Sequence, residues 1–178
     1  MPGARNISTK VAIGEALEKL LLTKPLTQIT VKEIVDECQL TRQTFYRNFK
    51  DIYELIIWFH NYQSKGLDIF TESRDFIGGM IANFEAMEKR KKFYKEIVKE
   101  NGPNSFADSF LQTRLDYAQK FIGKGRLNDE LSFILRFYWV GMTSMMIEWA
   151  KNDMKISPKL LARYFHNCLP PALKRFYE

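Results

Sequence analysis

"ITVKEIVDECQLTRQTFYRNFKDIYEL", running from Ile29 to Leu55, is the stretch that decides the fold. Its centre, Thr41 to Lys50, alternates bulky aromatics with cations and amides in a short helical pattern. A solvated helix has no use for two Phe and a Tyr, and a core helix does not carry two Arg and a Lys. Such a helix presents one face to its own protein and the other to a partner. Thr30 followed by Glu33 has the form of a capping box, the threonine hydroxyl accepting from the Glu33 amide while the glutamate reaches back. It starts a short helix with Val31, Ile34, Val35 and Cys38 turned inwards. "QLT", Gln39 to Thr41, makes a tight turn, and Thr41 is placed to cap the next helix. Two short helices so joined form a helix-turn-helix. At about 100° per residue, Phe45 and Phe49 share an inward face and Leu40 plugs the turn. Gln43, Tyr46, Arg47 and Lys50 gather on the opposite face, flanked by Thr44 and Asn48.

The second helix of this motif fits the DNA major groove, and the polar set supplies what groove recognition needs. Arg bonds guanine bidentately, Gln or Asn bonds adenine, and a Thr methyl meets a thymine methyl. Tyr46 offers a hydroxyl and a ring edge to phosphate or sugar, and the helix-start amides near Thr41 offer an anion site to a backbone phosphate. A solvated amphipathic helix that binds nothing would account for the charges, but not for the turn, the caps and the paired Phe together.

Those residues resemble the DNA-binding signature of the TetR family of bacterial transcriptional regulators. The likeness runs from about Ser8 to Tyr62, a third of the chain, and is most specific at "TVKEI", "TFYRNF" and "DIYEL". The resemblance implies an all-α protein, with a three-helix DNA-binding domain followed by a larger helical domain for effector binding and dimerisation. It gives DNA-contact roles to Arg42, Gln43, Thr44, Tyr46, Arg47 and Asn48, and a phosphate role to Thr30 at its helix start. Two positions depart from the family pattern. Gln39 stands where the turn normally carries Gly, and a positive φ there costs Gln on the order of 1 kcal/mol more than Gly. Ile52 stands where a phosphate-binding Lys is frequent, so that contact passes to Lys50. The continuation "FKDIYELIIW" also resembles a subgroup whose best-known members regulate dihydroxyacetone kinase genes, some as activators working through a partner protein.

Composition agrees with this reading. The 178 residues are 46% hydrophobic and 14% aromatic, enough for a packed core, and carry a formal charge of +6 that leans towards a polyanionic partner. Cys38 and Cys168 lie far apart and outside any ligand spacing, which argues against a disulfide framework or a zinc site. No signal-peptide core opens the sequence, and the longest uncharged apolar run, Phe137 to Ile147, is too short to span a bilayer. The expectation is a soluble cytoplasmic protein with no membrane partner and no cofactor or metal. The pattern is helical nearly throughout, with about nine helices and turn clusters at "TESRD", "NGPN", "GKGRLND" and "DMKISPK". No Gly-rich linker follows Asp51, so residues 1–50 read as the helix-turn-helix domain and 51–178 as the effector and dimerisation domain. The helix between them should leave the first domain through Ile52 and Leu55, enter the second through Trp58, Phe59 and Tyr62, and act as a lever between two cores.

The remaining two-thirds must supply sensor and seam. Asn128 is placed to cap a helix that is apolar on almost every side from Leu131 to Trp149, and such a helix must be buried all round. One face would meet its own core and the other a second subunit, with Gly141 and Ser144 permitting close approach. A second apolar helix starts at Ser157-Pro158. Phe137, Gly141, Ser144, Met145 and Trp149 of the first helix, with Leu161, Tyr164 and Phe165 of the second, form the expected four-helix seam; a monomeric core is the alternative. Candidate effector-lining residues are Trp58, Tyr62, Phe84, Met87, Phe106, Phe110, Tyr117, Phe137, Tyr138 and Met142, a set that also fits plain core. The basic run Met87 to Glu100 reads first as a solvated face and second as an anion or partner surface. Enzyme chemistry has little to stand on. His60 and His166 are in no motif with a nucleophile or carboxylate, and "GKGR" at Gly123 lacks a Walker pattern and a preceding strand. The reading is therefore a homodimeric, effector-responsive repressor at a pseudo-palindromic double-stranded DNA operator. The alternative is an activator or co-activator of the same fold controlled by a protein partner.

Overall fold

The computed structural model describes residues 2–63, 75–100 and 105–177. Among them the chain is all-α, with ten helices and no strand. They are α1 (Pro2–Leu21), α2 (Val31–Glu37), α3 (Arg42–Asn48), α4 (Ile52–Gln63), α5 (Phe76–Lys89), α6 (Lys91–Ile97), α7 (Phe106–Ile122), α8 (Asp129–Lys151), α9 (Pro158–Asn167) and α10 (Pro171–Tyr177). Single turns of 3-10 helix stand at Leu26–Gln28 and Lys124–Arg126. The boundary at "NGPN" and most of that at "TESRD" lie outside the described residues; Asp75, which closes the latter, caps α5 by accepting from the Gly78 amide at 2.7 Å.

Helix starts fall where capping chemistry puts them. Thr30, Thr41, Asn128 and Ser157 accept from the amides of Glu33, Thr44, Leu131 and Leu160. The capping box is complete, Thr30 N–H donating to Glu33 Oε2 at 2.9 Å. Asp51 Oδ1 accepts from the Glu54 amide at 2.8 Å. The turn between α2 and α3 is a Schellman closure: Leu40 N–H donates to Val35 C=O at 2.8 Å and Gln39 N–H to Asp36 C=O at 3.2 Å. That closure requires a left-handed residue, and Gln39 supplies it at φ 55° despite its side chain. Leu40 is thereby folded back onto the core, beside the fully buried Phe45 and the nearly buried Phe49.

The connecting helix departs from expectation. Phe59 and His60 do point into the larger helical layer, but Trp58 and Tyr62 do not. Positions 58 and 62 are four apart on one helix face, while 59 and 60 are rotated away from it by about 100° and 200°. Trp58 packs on Phe49 at 5.6 Å between ring centroids, with Lys10 Nζ 5.4 Å from its own centroid, and Tyr62 stacks on it at 5.2 Å. Among the described residues there are not two separate cores for a lever to join. Buried residues from Ile13 through Leu55, Phe59, Phe93 and Trp139 to Tyr177 form one continuous apolar cluster.

The crossing of α1 and α4 is tight. The Phe59 ring lies over Gly14 so closely that a Cβ there would stand 2.2 Å from it. Arg90 covers the ring at 5.3 Å and ion-pairs with Glu18 of α1, while Phe93 meets its edge at 5.8 Å. Behind this clamp α5 packs on α9 and α7 on α8.

Candidate nucleic-acid interface

Helix α3 keeps its apolar side in the core and its polar side in solvent. Arg42, Gln43, Tyr46, Arg47 and Lys50 are exposed, Tyr46 by 59% although it is an aromatic residue. Thr44 and Asn48 are half-buried at the flanks, and part of their hydrogen-bonding capacity is used within the helix. Asn48 Nδ2 donates to Thr44 C=O at 2.8 Å, and the Thr41 and Thr44 hydroxyls lie 3.0 Å apart. Thr30 is similarly engaged, its hydroxyl donating to Glu33 Oε2 at 2.8 Å. The Lys24 ammonium, hydrogen-bonded to Glu33, holds that carboxyl down at about 2, helped by the Thr30 amide. Ile52 is packed against the core and Lys50 is exposed, so of the two only Lys50 offers a cation here. From Thr41 to Lys50 the sequence carries Arg42, Arg47 and Lys50 and no acid.

The seam residues divide. Phe137, Met145 and Tyr164 are exposed by 72%, 53% and 47%, and Gly141 and Ser144 are exposed beside them. Trp149, Leu161 and Phe165 are not: each is at most 6% exposed and belongs to the protomer's own core. Trp149 Nε1 donates to Ile156 C=O at 2.8 Å with its ring edge-on to Phe84, and Phe165 packs on the same Phe84. Sequence reasoning left out Phe133 and Val140, which continue the exposed stripe of α8; their spacing of four and seven from 133 to 137 and 140 was the available signal.

The effector candidates do not converge on one place. Tyr117 is exposed, Trp58 lies against Phe49, and Tyr62 stacks on Trp58. Phe84 and Met142 are core, and Tyr138 is tied down by donating its hydroxyl to Phe165 C=O at 3.0 Å. Phe106 and Phe110 instead pack edge-on against His60, at 5.2 and 5.4 Å. His60 is 1% exposed, and its Nδ1 lies 2.8 Å from the Tyr94 hydroxyl. Burial, and then the nearby Arg114 guanidinium, push its pKa down from 6.5 to about 3. Between those values the folded imidazole binds fewer protons than the unfolded one, so stability falls as pH falls from 6.5 towards 3. His60→Phe should flatten this acid limb by up to about 1.4 kcal/mol per pH unit, measured by urea melts over that range. Equal slopes in wild type and variant would refute a neutral buried His60.

A helix-turn-helix with a cationic outer face, set ahead of an all-helical layer, is the architecture of a transcriptional regulator. The model for the TetR regulators' C-terminal domain, described as "Transcriptional regulator C-terminal region", matches residues 74–170, and the chain belongs to the TetR family. It is 24% identical over 96 residues to the HTH-type dhaKLM operon transcriptional activator DhaS of Lactococcus lactis subsp. lactis (strain IL1403). That match covers 52% of this chain and only 50% of the relative. Among solved structures, the dihydroxyacetone kinase operon activator DhaS superposes with a TM-score of 0.67 at 23% identity, covering 97% of this chain and 99% of that one. The TetR family repressor AlkX from Dietzia sp. strain DQ12-45-1b follows at 0.53 and 12%, covering 95% and 97%. At these identities both likenesses are of fold. Among the described residues no helix is long and apolar enough to cross a membrane.

Proposed function

We propose that the protein is a homodimeric regulator that reads a pseudo-palindromic operator with α3 and responds to an effector bound in its larger domain. The exposed, acid-free polar face of α3 carries this reading. Arg42, Gln43, Tyr46 and Arg47 are the residues assigned to the groove, with Thr44 offering its methyl and Asn48 its remaining amide capacity. Lys50, Thr41 and Thr30 are assigned to phosphates. The division at residue 50 marks the reading head from the sensing and pairing part. The seam is assigned to Phe133, Phe137, Val140, Gly141, Ser144 and Met145 of α8 with Tyr164 of α9. Repression is the sign proposed for an effector-gated grip on DNA. Activation is the second reading, favoured by the similarity to DhaS, whose name states that it is an activator.

Sequencing of genomic fragments selected by the purified protein tests the proposal, with inverted half-sites as the expected result. On the selected site Gln43→Ala should cost about 1–3 kcal/mol and relax specificity at one position per half-site. Lys50→Ala should weaken all sequences alike and make the salt slope shallower by about one unit. Wild-type binding by both variants would remove α3 from the interface. A reporter placed behind the selected site then decides the sign of regulation.

A further inference from the structure

The basic run Met87 to Glu100 has no part in the DNA-binding reading, and its middle lines a cleft. Helix α6 contributes Lys91, Lys92, Lys95 and Glu96 to that cleft. Leu21 and Leu22 border it at the end of α1, and Asp153 borders it from the turn after α8. The space is about 430 Å³, within the range of small-molecule sites.

The cations of the cleft exceed the acids that neutralise them. Glu96 is ion-paired with Lys99, and Asp153 Oδ1 accepts from Lys95 Nζ at 2.7 Å. Lys91 and Lys92 form no ion pair among the described residues. Leu22 is 53% exposed, and lysine stems are themselves apolar, so the cleft joins apolar surface to cationic heads.

The acid that meets these lysines is presented by a strained turn. Asp153 and Met154 stand at φ 58° and 47°, two successive residues with side chains in the region that favours glycine. The Met154 amide closes the turn by donating to Trp149 C=O at 2.8 Å, and Met154 itself is buried. Strain of this kind concentrates where structure serves a ligand or a switch. Lys95, and then Lys91 and Lys155, hold the Asp153 carboxyl below its ordinary pKa, so it is an anion near neutrality. The side chains of Lys95 and Asp153 are 40% and 49% exposed, and a pair so open to water adds little stability and exchanges easily.

We propose that this cleft binds a small organic phosphate, its phosphoryl group among Lys91, Lys92 and Lys95 in place of the Asp153 carboxylate, and its apolar body against Leu22. A phosphoryl group brings about two negative charges and three acceptor oxygens. Ammonium groups meet it as point charges, without the guanidinium fork that favours a planar carboxylate. The site goes beyond the reading of DNA by α3 and does not depend on it.

The test is calorimetric titration of the full-length protein at constant ionic strength. The probes are 1-naphthyl phosphate, its neutral parent 1-naphthol, and pyrophosphate as the charged end alone. The naphthyl phosphate should bind about tenfold or more tightly than the naphthol, and pyrophosphate should compete with it. Asp153→Asn should tighten binding by about two- to fivefold, and asparagine tolerates the positive φ as aspartate does. Lys92→Gln should weaken binding by about fivefold or more. Lys159→Gln makes the same charge change on α9, outside the cleft, and should leave binding within about twofold. Equal binding of phosphate and alcohol overturns the proposal without any variant. Equal losses from Lys92→Gln and Lys159→Gln also overturn it, since they would mark diffuse surface charge. So would a Lys92→Gln variant that binds the phosphate like wild type but loses operator affinity in a gel shift, which would assign these lysines to DNA.

Discussion

Met145→Glu is expected to convert the protein into folded monomers and to lower operator affinity by about a hundredfold or more. Met145 is 53% exposed on the isolated protomer, so the new carboxylate disturbs nothing inside it. The cost falls on the proposed partner face. There Phe133, Phe137, Val140 and Met145 are exposed apolar residues along α8, and an unpaired charge buried at the Met145 end of that face costs several kcal/mol. Loss of the pair separates two reading heads that must stand about 34 Å apart, or a multiple of that, to grip one face of the duplex. Each half then binds alone and the gain from simultaneous engagement disappears. Light scattering and gel shift on the selected operator read both effects. A dimer of wild-type stability carrying Met145→Glu would move the seam off α8.

Gly14→Ala is expected to destabilise the protein by about 1–3 kcal/mol, where an ordinary helix interior would gain up to about 1 kcal/mol from the same change. The sign is therefore the observable. The added methyl would stand 2.2 Å from the Phe59 ring, and that ring cannot retreat because Arg90 and Phe93 hold its other sides. Phe59→Leu, costly alone, should cost much less in the Gly14→Ala background, since the smaller side chain vacates the contested space. Thermal or urea melts of the two single variants and the double variant give the coupling. Additive losses would mean that the crossing of α1 and α4 is looser than its geometry states.

The helix-turn-helix was legible because its signals are local. The Thr30–Glu33 box, the Thr41 cap and the Phe45–Phe49 spacing each act within one turn of helix, and all three stand in the structure. Gln39 belongs with them: its departure from Gly announced a position of positive φ, which it occupies at 55°. The exposed half of α8 was legible only in part. An all-round apolar pattern does not say which residues meet the protomer's own core, and so Trp149, which is buried there, was expected on the outer face. The sensor was the least legible. Aromatic side chains at helical spacing do not declare their direction, and Trp58 packs on Phe49 with Tyr62 stacked on it, away from Phe106. The buried meeting of His60, Tyr94 and Arg114 joins α4, α6 and α7 across separations no local pattern encodes.

Helices α2 and α3 are each seven residues long, well below the roughly 12–15 residues at which isolated helices become even marginally stable in water. Their order is lent by Ile34, Val35, Phe45 and Phe49, all buried, and by the Gln39 turn between them. Arg42, Gln43 and Arg47 face solvent and support none of that order, while the exposed Tyr46 still meets the Phe45 ring at 5.4 Å. Thr41, Thr44 and Asn48 serve both the helix and the proposed reading, whereas Arg42, Gln43 and Arg47 are assigned to reading alone. Exposed positions of this kind tolerate replacement within about 0.5 kcal/mol of stability. On the proposed reading of DNA by α3, mutational drift at Arg42, Gln43 and Arg47 rewrites the recognised operator one base contact at a time, while the fold that presents the contacts is inherited unchanged.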